Sequence, residues 1–491
     1  MSAGHVVGRL GEAGPMSAAE VLSAAGRYVV YRVVCSKEQV MSQTLQGVEI
    51  AGLNEAFEGY VERGERRVLA GGAVPGDRVD LRIVASSQHH PRDFAEVASV
   101  HARGADYVEP ICAHAGPVRG RCGGCPGMHL SHDLRTETLQ RRVAQLAERL
   151  GCEWSWHEAP AHLGYRNRSN FVVTRQGALV VLGSYAPRSQ EISAMAGCQV
   201  VQPAIARVHG ELEALLSALK VPVGEEEEGL RWVSLRASAQ AVVVELVVRD
   251  ALASWLDAAV VAIAAVEGVQ GVAITVNARD TNAIRVQDSQ VVQGKGRIWE
   301  RYGEVELGID PGAFAQLNVA VASAMYRQVA RWAEGAQVVW DLYCGIGGLG
   351  LNVAARRPEV RLFGAESVPA AIASARENAA RAGIKARYAV VDLGKEGWRE
   401  GCPGEGPQAR PELIVVNPPR KGLSRAVRQV LGAPQALGAS TLIYMSCDVS
   451  SFGRDAAELQ ERGWVLRELQ AHDMLPQTTH VELLGRFERS S

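Results

Sequence analysis

The alternation of short apolar segments with helical segments in the last third of this 491-residue chain limits its fold more than any other feature. Apolar runs predict strands over 337–342, 360–365, 413–416 and 441–446, with helices over 348–356 and 368–382. This spacing is typical of an α/β fold with a doubly wound, mainly parallel sheet. Ligands of such sheets bind beyond the carboxyl ends of the strands, so functional residues are expected along that edge.

A glycine-rich loop connects the first of these strands to its helix. The segment from Asp341 to Gly350 places Gly345, Gly347 and Gly350 where the backbone can approach a ligand at the start of the helix. Glu366 ends the next strand and supplies a carboxylate that can accept hydrogen bonds from ribose hydroxyls. The loop predicts a nucleotide cofactor, and NAD and S-adenosylmethionine both fit it.

Cys447 follows another predicted strand, and the late segment from Pro476 to Glu482 carries a histidine and a carboxylate that can return to the same edge. A thiol paired with a base matches the chemistry of methylation at carbon 5 of uracil. Carbon 5 of uracil attacks a sulfonium methyl group only after a thiolate has added to carbon 6 and made an enolate. A base must then remove the proton from carbon 5 before the thiolate leaves. The hypothesis is that Cys447 is the nucleophile, with Arg420 and Arg454 nearby to favour the thiolate, and that Glu482 is the base.

The turn from Asn417 to Arg420 suggests a rival chemistry, because enzymes that methylate exocyclic amines use a similar Asn-Pro-Pro turn. In those enzymes an aromatic residue usually follows to stack on the base, but this chain has Arg420. An amine methylase would also have no use for Cys447 paired with Glu482. A rival of another class is a non-catalytic RNA-binding protein with a redox-sensing metal centre, and the complete set of loop, nucleophile and base argues against it.

Several segments together resemble the RNA uracil-C5 methyltransferase family, which makes 5-methyluridine in transfer RNA and 23S ribosomal RNA. The matching segments, in the family's order, are Phe314 to Asn318, Asp341 to Gly345, Asn417 to Gly422, Ser446 to Asp448 with Arg454 and Asp455, and His480 to Glu482. The resemblance implies that Gln316, Tyr343, Gly345, Glu366 and Asn417 bind S-adenosylmethionine. It also implies the roles of Cys447 and Glu482. Many members have Asp in place of Asn417, so this residue is expected to position groups by hydrogen bonding.

Upstream segments extend the resemblance and define the expected domains. Residues 1–40 form an extension, with Met1 or Met41 as the start. Short alternating stretches over 41–104 predict a small OB-like β-barrel, which resembles the family's TRAM domain. A mixed α/β central domain covers 105–300, with about 132–160 expected to pack with the catalytic domain, and the Rossmann-like methyltransferase domain covers 301–491. A barrel ahead of the catalytic part is more typical of the 23S ribosomal RNA enzymes than of the transfer RNA enzymes.

Four cysteines of the central region form a candidate metal site. Cys112, Cys122 and Cys125, with Cys198 downstream, supply enough thiolates for a four-iron-four-sulfur cluster or for zinc. Spacing alone does not separate these alternatives. The resemblance to cluster-bearing family members favours a [4Fe-4S] cluster.

Composition sets the remaining expectations. A formal net charge of -2 gives no global attraction to nucleic acid, so RNA binding must come from local clusters, and Tyr165, Arg166, Arg168 and the barrel face are candidates. No run of eighteen apolar residues and no secretory signal occur in the sequence. We therefore expect a cytoplasmic monomer without a membrane partner, acting on RNA, with 23S ribosomal RNA favoured over transfer RNA.

Overall fold

The computed structural model describes residues 43–116, 120–279, 284, 289–402, 410–433 and 438–489. The expected extension over 1–40 lies outside them. The first described part is a curled six-stranded sheet in the order β1-β5-β6-β4-β3-β2. Its apolar interior includes Ile50, Val68 and Leu81. The strands are β1 (Thr44–Glu49), β2 (Gly52–Leu53), β3 (Glu58–Arg63), β4 (Arg66–Gly71), β5 (Arg78–Ser86) and β6 (Arg92–Ala102). This sheet agrees with the predicted OB-like barrel.

A mixed α/β region follows. Helix α1 (His132–Leu150) and strand β7 (Trp154–His157) come first. A seven-stranded sheet in the order β10-β9-β8-β11-β12-β13-β14 then packs against helices α2 and α3. Its elements are β8 (Arg168–Gln176), β9 (Leu179–Tyr185), β10 (Ile192–Ala194), α2 (Pro203–Ala218), β11 (Leu230–Ala237), β12 (Val242–Val248), α3 (Leu256–Ala264), β13 (Val269–Val276) and β14 (Gln290–Gly294). A hairpin of β15 (Ile298–Tyr302) and β16 (Val305–Ile309) leads into the last region.

The last region is an eight-stranded sheet in the order β19-β18-β17-β20-β21-β23-β22-β7. Strands β17 to β21 are parallel, whereas β23 is antiparallel to both neighbours. The elements are α4 (Val319–Trp332), β17 (Val338–Leu342), α5 (Gly348–Arg356), β18 (Arg361–Glu366), α6 (Pro369–Arg381), β19 (Ala386–Val390), a 3-10 turn (Trp398–Gly401), β20 (Leu413–Val416), α7 (Arg425–Gly432), β21 (Thr441–Ser446), α8 (Val449–Glu461), β22 (Trp464–His472) and β23 (Glu482–Arg489). The predicted doubly wound α/β sheet is confirmed.

Helices cover both faces of this sheet because successive strand residues point to opposite sides. On one face Val338 and Trp340 pack with residues of α1, α7 and α8. Phe57 of the barrel region joins the same core. On the other face Val339 packs with α4, α5 and α6. Among the described helices, none is long and apolar enough to cross a membrane.

Candidate active site

The glycine-rich loop leaves β17 at the carboxyl edge of the sheet. Tyr343 takes a left-handed φ of 60°, and Gly347 caps α5. Gly350 donates its backbone N–H to Asp341 Oδ2 at 2.9 Å, which ties the first helical turn to the strand. A Cβ at Gly350 would lie 2.8 Å from Leu362 Cδ1 and 2.9 Å from Asp341 Oδ2, so only glycine fits this close approach.

Asp341 anchors the loop from inside the protein. Its side chain is fully buried, and burial, reinforced by the charge of Glu366, raises its pKa to about 7. Its Oδ1 atom has no hydrogen-bond partner among the described residues. The carboxyl group therefore fixes the backbone that faces a cofactor.

Glu366 ends β18 directly beside this loop. Its Oε2 lies 3.4 Å from the backbone nitrogen of Gly345, and its Oε1 accepts from the backbone N–H groups of Ser367 and Val368. The side chains of Val368 and Val390 are half exposed at the same edge. A carboxylate flanked by apolar surface suits a nucleoside, because it can accept from ribose hydroxyls while the base covers the valines.

The other predicted cofactor residues lie on segments that meet this edge. Tyr343 accepts a hydrogen bond at its hydroxyl oxygen from the backbone N–H of Ser424, at 3.3 Å. The half-buried Asn417 follows β20, and its backbone nitrogen lies 3.4 Å from the carbonyl oxygen of Leu342. Gln316 is buried just before α4, and its carbonyl oxygen accepts from the Tyr302 hydroxyl at 2.7 Å. None of these contacts excludes the predicted roles.

Strand register brings Cys447 and Glu482 together. In the antiparallel pair of β21 and β23, Ser446 lies opposite Leu483. The next position places Cys447, just after β21, opposite Glu482, the first residue of β23. Directly opposed residues of an antiparallel pair point to the same face, so the thiol and the carboxyl group face the same space.

Burial and mutual repulsion set the electrostatics of this pair. Glu482 is fully buried, and burial raises its pKa to about 8 although Arg420 lowers it. Burial also raises the pKa of the Cys447 thiol, Glu482 raises it further, and Arg420 lowers it. Asp448 caps α8 by accepting from the backbone N–H of Ser451 at 2.7 Å, so Cys447 also sits at the positive end of a helix. Arg420 and the N-terminus of α8 therefore stabilise the thiolate form of Cys447.

The two predicted cationic neighbours differ in their roles. Arg420 lies near both members of the pair, and its Nη2 is 3.4 Å from Nε2 of His480. Arg454 instead donates to the carboxylate of Asp455 and to the carbonyl oxygen of Lys421. Arg420 therefore lies near the Cys447 thiol, whereas Arg454 holds the loop that contains Lys421.

Asp455 is a site residue whose role could not be predicted from the sequence. It is fully buried on α8, and its Oδ2 accepts from the backbone N–H of Leu423 at 2.7 Å and from the Tyr444 hydroxyl at 2.8 Å. A Cβ at Gly422 would lie 2.3 Å from the same oxygen, and Gly422 has a φ of 79°. Asp455 thus fixes the segment that carries Arg420. The only sequence signal was its place in the family motif.

The four predicted metal-ligating cysteines surround one cavity. Cys112, Cys122, Cys125 and Cys198 line it together with Arg166 and other residues. Burial raises the pKa of Cys125 to about 12, and the other three thiols raise it further, so all four lie within electrostatic reach of one another. Among the described residues, one group of at least three His, Cys, Asp or Glu side chains has all of its ligand atoms within 4.8 Å of one another. None of the four cysteines belongs to that group.

The residues next to this cavity support the segment that leads to Glu482. Tyr165 is buried and donates its hydroxyl to the carbonyl oxygen of Pro476 at 2.9 Å, so it does not fit the direct RNA contact expected for it. Gly127 donates its backbone N–H to the carbonyl oxygen of Gln477 at 2.9 Å. Arg168 binds Ser234 and the Ala313 carbonyl, which is also a structural role. The cysteine region therefore braces the loop that delivers Glu482.

Known proteins match this chain along most of its length. A family model described as methyltransferase small domain matches residues 304–437. The 23S rRNA (uracil(1939)-C(5))-methyltransferase RlmD of Pseudomonas fluorescens is 30% identical over 436 residues, which cover 87% of this chain and 90% of that protein. A protein of Thermosynechococcus vestitus named as an RNA methyltransferase is 30% identical over 464 residues, which cover 90% of this chain and 98% of that protein.

A solved structure matches the fold. The tRNA (uracil-54, C5)-methyltransferase of Pyrococcus abyssi, in complex with S-adenosyl-L-homocysteine, superimposes with a TM-score of 0.69 at 22% identity, over 90% of this chain and 100% of that one. Fold and relatives together define an RNA methyltransferase that uses S-adenosylmethionine. The chain belongs to the RNA uracil-C5 methyltransferase family.

Proposed function

We propose that this enzyme methylates carbon 5 of a uridine in 23S ribosomal RNA, with Cys447 as nucleophile and Glu482 as base. The observation that carries the proposal is the register of β21 and β23, which sets Cys447 opposite Glu482 at the carboxyl edge of the sheet. This is the same edge that carries the glycine-rich loop and Glu366. A thiol, a buried base and a methyl-donor site are therefore adjacent.

The named residues account for each step of the proposed reaction. S-adenosylmethionine would supply an electrophilic methyl group when its nucleoside is held by Glu366 and the loop around Gly345, with Gln316, Tyr343 and Asn417 lining the same site. The Cys447 thiolate adds to carbon 6 of the uracil ring, and the electron pair moves toward the oxygen on carbon 4. Carbon 5 of this enolate then forms a bond to the methyl carbon, the bond between that carbon and the sulfonium sulfur breaks, and the electron pair stays on sulfur as S-adenosylhomocysteine leaves. Glu482 removes the proton from carbon 5, the double bond reforms, and the bond between sulfur and carbon 6 breaks.

A pKa near 8 suits Glu482 to this step. A base is most effective when its pKa lies near the working pH, because it then combines strength with a sufficient ionised fraction. An exposed glutamate would be a much weaker base. Burial of Glu482 on β23 raises its pKa and so makes its carboxylate the stronger base.

RNA recognition is proposed from the surface around Cys447. Arg420, Lys421 and Arg425 are exposed on the segment after β20, where they can contact phosphates. The target uridine must leave its stack to reach Cys447, so a loop or a remodelled strand is the expected substrate. The RlmD relative favours 23S ribosomal RNA. Transfer RNA is the alternative.

We also propose that Cys112, Cys122, Cys125 and Cys198 hold a [4Fe-4S] cluster. A single tetrahedral zinc, with bonds of about 2.3 Å, would draw its sulfurs to within roughly 4 Å of one another. Among the described residues, no three of these sulfurs all lie within 4.8 Å of one another, which favours a multi-iron centre. The cluster would stabilise the region that Tyr165 and Gly127 connect to the loop before Glu482.

The test uses ribosomal and transfer RNA from a strain lacking the gene, incubated with the purified holoenzyme and labelled S-adenosylmethionine. We expect 5-methyluridine in 23S RNA, none with Cys447→Ala, and normal product with Cys152→Ala, which removes a half-buried cysteine at the end of α1. Glu482→Gln should accumulate a covalent protein–RNA adduct that survives denaturing electrophoresis. Methylation by Cys447→Ala would refute the covalent route, and product only in transfer RNA would refute the substrate.

A further inference from the structure

A group of side chains outside the active site and the cysteine cavity has the composition of a metal site. His162 Nε2 lies 2.9 Å from Glu158 Oε1, and His132 Nε2 lies 4.0 Å from the same oxygen. The ligand atoms of these three residues all lie within 4.8 Å of one another. Their side chains are partly exposed, so an ion can reach them from solution.

A fourth residue, Asp473, provides independent support. It is 1% exposed, and neither carboxyl oxygen meets the geometry of a hydrogen bond with a donor among the described residues, although Oδ2 is in ion-pair range of Arg135 at 3.7 Å and the side chain interacts with Glu158. Its backbone nitrogen donates to the His157 carbonyl oxygen at 3.0 Å, which continues the parallel pairing of β22 with β7. Asp473 therefore lies beside Glu158. Neighbouring residues of parallel strands point to the same face, so the buried carboxyl group lies on the side of Glu158, although its oxygens are not among the ligand atoms that lie within 4.8 Å of one another.

We propose that His132, Glu158 and His162 bind a divalent transition-metal ion, with Asp473 as a fourth oxygen donor. Imidazole ligands favour zinc and its neighbours over magnesium or calcium, which prefer all-oxygen sites. Two histidines and a carboxylate are also an established ligand set for zinc. Nothing in the proposed methylation uses this ion.

The surrounding side chains are arranged to orient the ligands. The Trp156 indole donates to Glu158 Oε2 at 2.8 Å, which leaves Oε1 directed at the two histidines. The Arg135 guanidinium lies 3.2 Å from His132 Nδ1 and 3.7 Å from Asp473 Oδ2. When Nε2 binds an ion, Nδ1 carries the ring proton, so Arg135 would give its hydrogen bond to Asp473. Such outer contacts tune metal affinity.

The position of the site indicates a structural role. His132 begins α1, Glu158 follows β7, and Asp473 follows β22, so one ion would join three elements at the far edge of the catalytic sheet. Asp473 also opens the segment that ends at Glu482. An ion bound here would hold the start of that segment, whereas the cysteine region holds its middle.

The test measures zinc bound by the full-length holoenzyme, with the tag removed, by elemental analysis after gel filtration and by competition with a chelating dye. We expect one zinc ion more in the wild type than in His132→Ala/His162→Ala. The matched control, His89→Ala/His90→Ala, removes two exposed histidines of the barrel region and should bind like the wild type. Zinc bound elsewhere on the protein is the same in the wild type and in both variants, so it does not affect the difference in zinc content between them.

Two isosteric variants guard against misfolding. Glu158→Gln and Asp473→Asn keep side-chain volume, and we expect the second to weaken binding roughly 10- to 100-fold, as loss of an orienting or supplementary ligand does. Zinc should raise the melting temperature of the wild type but not that of Glu158→Gln. Equal zinc content and affinity in the wild type and in Glu158→Gln would overturn the proposal.

Discussion

Replacing Glu482 by glutamine should make the enzyme more stable while it abolishes turnover. The carboxyl group is fully buried with a pKa of about 8, whereas a glutamate in the unfolded chain has the ordinary value of 4.5. Between these pH values the unfolded chain is ionised and the folded protein keeps the proton. Stability from this group is fully present below pH 4.5 and is lost as pH rises toward 8.

The size of this effect follows from linkage. Each pH unit in that interval costs about 1.4 kcal/mol, so the 2.5 units between pH 4.5 and pH 7 cost the wild type about 3 kcal/mol. Glutamine has nearly the same shape and cannot ionise. The free energy of unfolding of Glu482→Gln should therefore exceed that of the wild type by an amount that grows with pH and levels off above pH 8.

The measurement is urea denaturation from pH 5 to pH 9, followed by tryptophan fluorescence, for the wild type and Glu482→Gln. Glu461→Gln serves as the control because Glu461 is exposed at the end of α8. Infrared spectra at pH 7 should also show a protonated carboxyl band that loses the Glu482 component in Glu482→Gln, while the component from Asp341 remains. Parallel stability curves for the wild type and Glu482→Gln would refute the assignment of a neutral, buried Glu482.

Three further outcomes are expected. Asp455→Ala should destabilise the protein by roughly 3–5 kcal/mol, as measured by urea denaturation, because the buried Leu423 N–H and Tyr444 hydroxyl lose their acceptor and Arg428 keeps Glu458 but loses its second carboxylate partner. Glu366→Gln should weaken S-adenosylmethionine binding in calorimetry by roughly 1.5–3 kcal/mol without changing the melting temperature, since it removes a charged acceptor; unchanged affinity would contradict the ribose contact. Glu482→Gln should lower the pKa of Cys447, so alkylation of this thiol at pH 8 should be faster than in the wild type; an equal rate would contradict the coupling.

The parallel part of the catalytic sheet could be predicted closely from the sequence. The strands over 413–416 and 441–446 and the helix over 348–356 have the predicted bounds. These segments are apolar runs that end at glycine, proline or cysteine turns, so local pattern and tertiary burial agree. Cys447 was predicted at the carboxyl edge for the same reason: it directly follows a buried parallel strand.

The remaining geometry depends on long-range pairing that leaves no local pattern. β7 joins the far edge of the catalytic sheet, next to β22, although the two strands are about 300 residues apart in sequence. That pairing places Asp473 beside Glu158. Tyr165 was a candidate for RNA contact, but it is buried and donates its hydroxyl to the carbonyl oxygen of Pro476, which comes from a distant part of the chain. The spacing of apolar residues along the sequence carries no information about such long-range contacts.

In the proposed mechanism, the pairing of Cys447 with Glu482 would also order the reaction. Repulsion between two negative charges is mutual, so the thiolate and the carboxylate disfavour each other. In the free enzyme burial raises the pKa of Cys447, but a proton on Glu482 removes the repulsion that this carboxylate would exert on the thiolate, which Arg420 stabilises. Once the sulfur has bonded to carbon 6 it is a neutral thioether, and its repulsion on Glu482 ends. The pKa of Glu482 then falls, so in the proposed mechanism more of this residue would be ionised at the stage at which carbon 5 carries the proton to be removed.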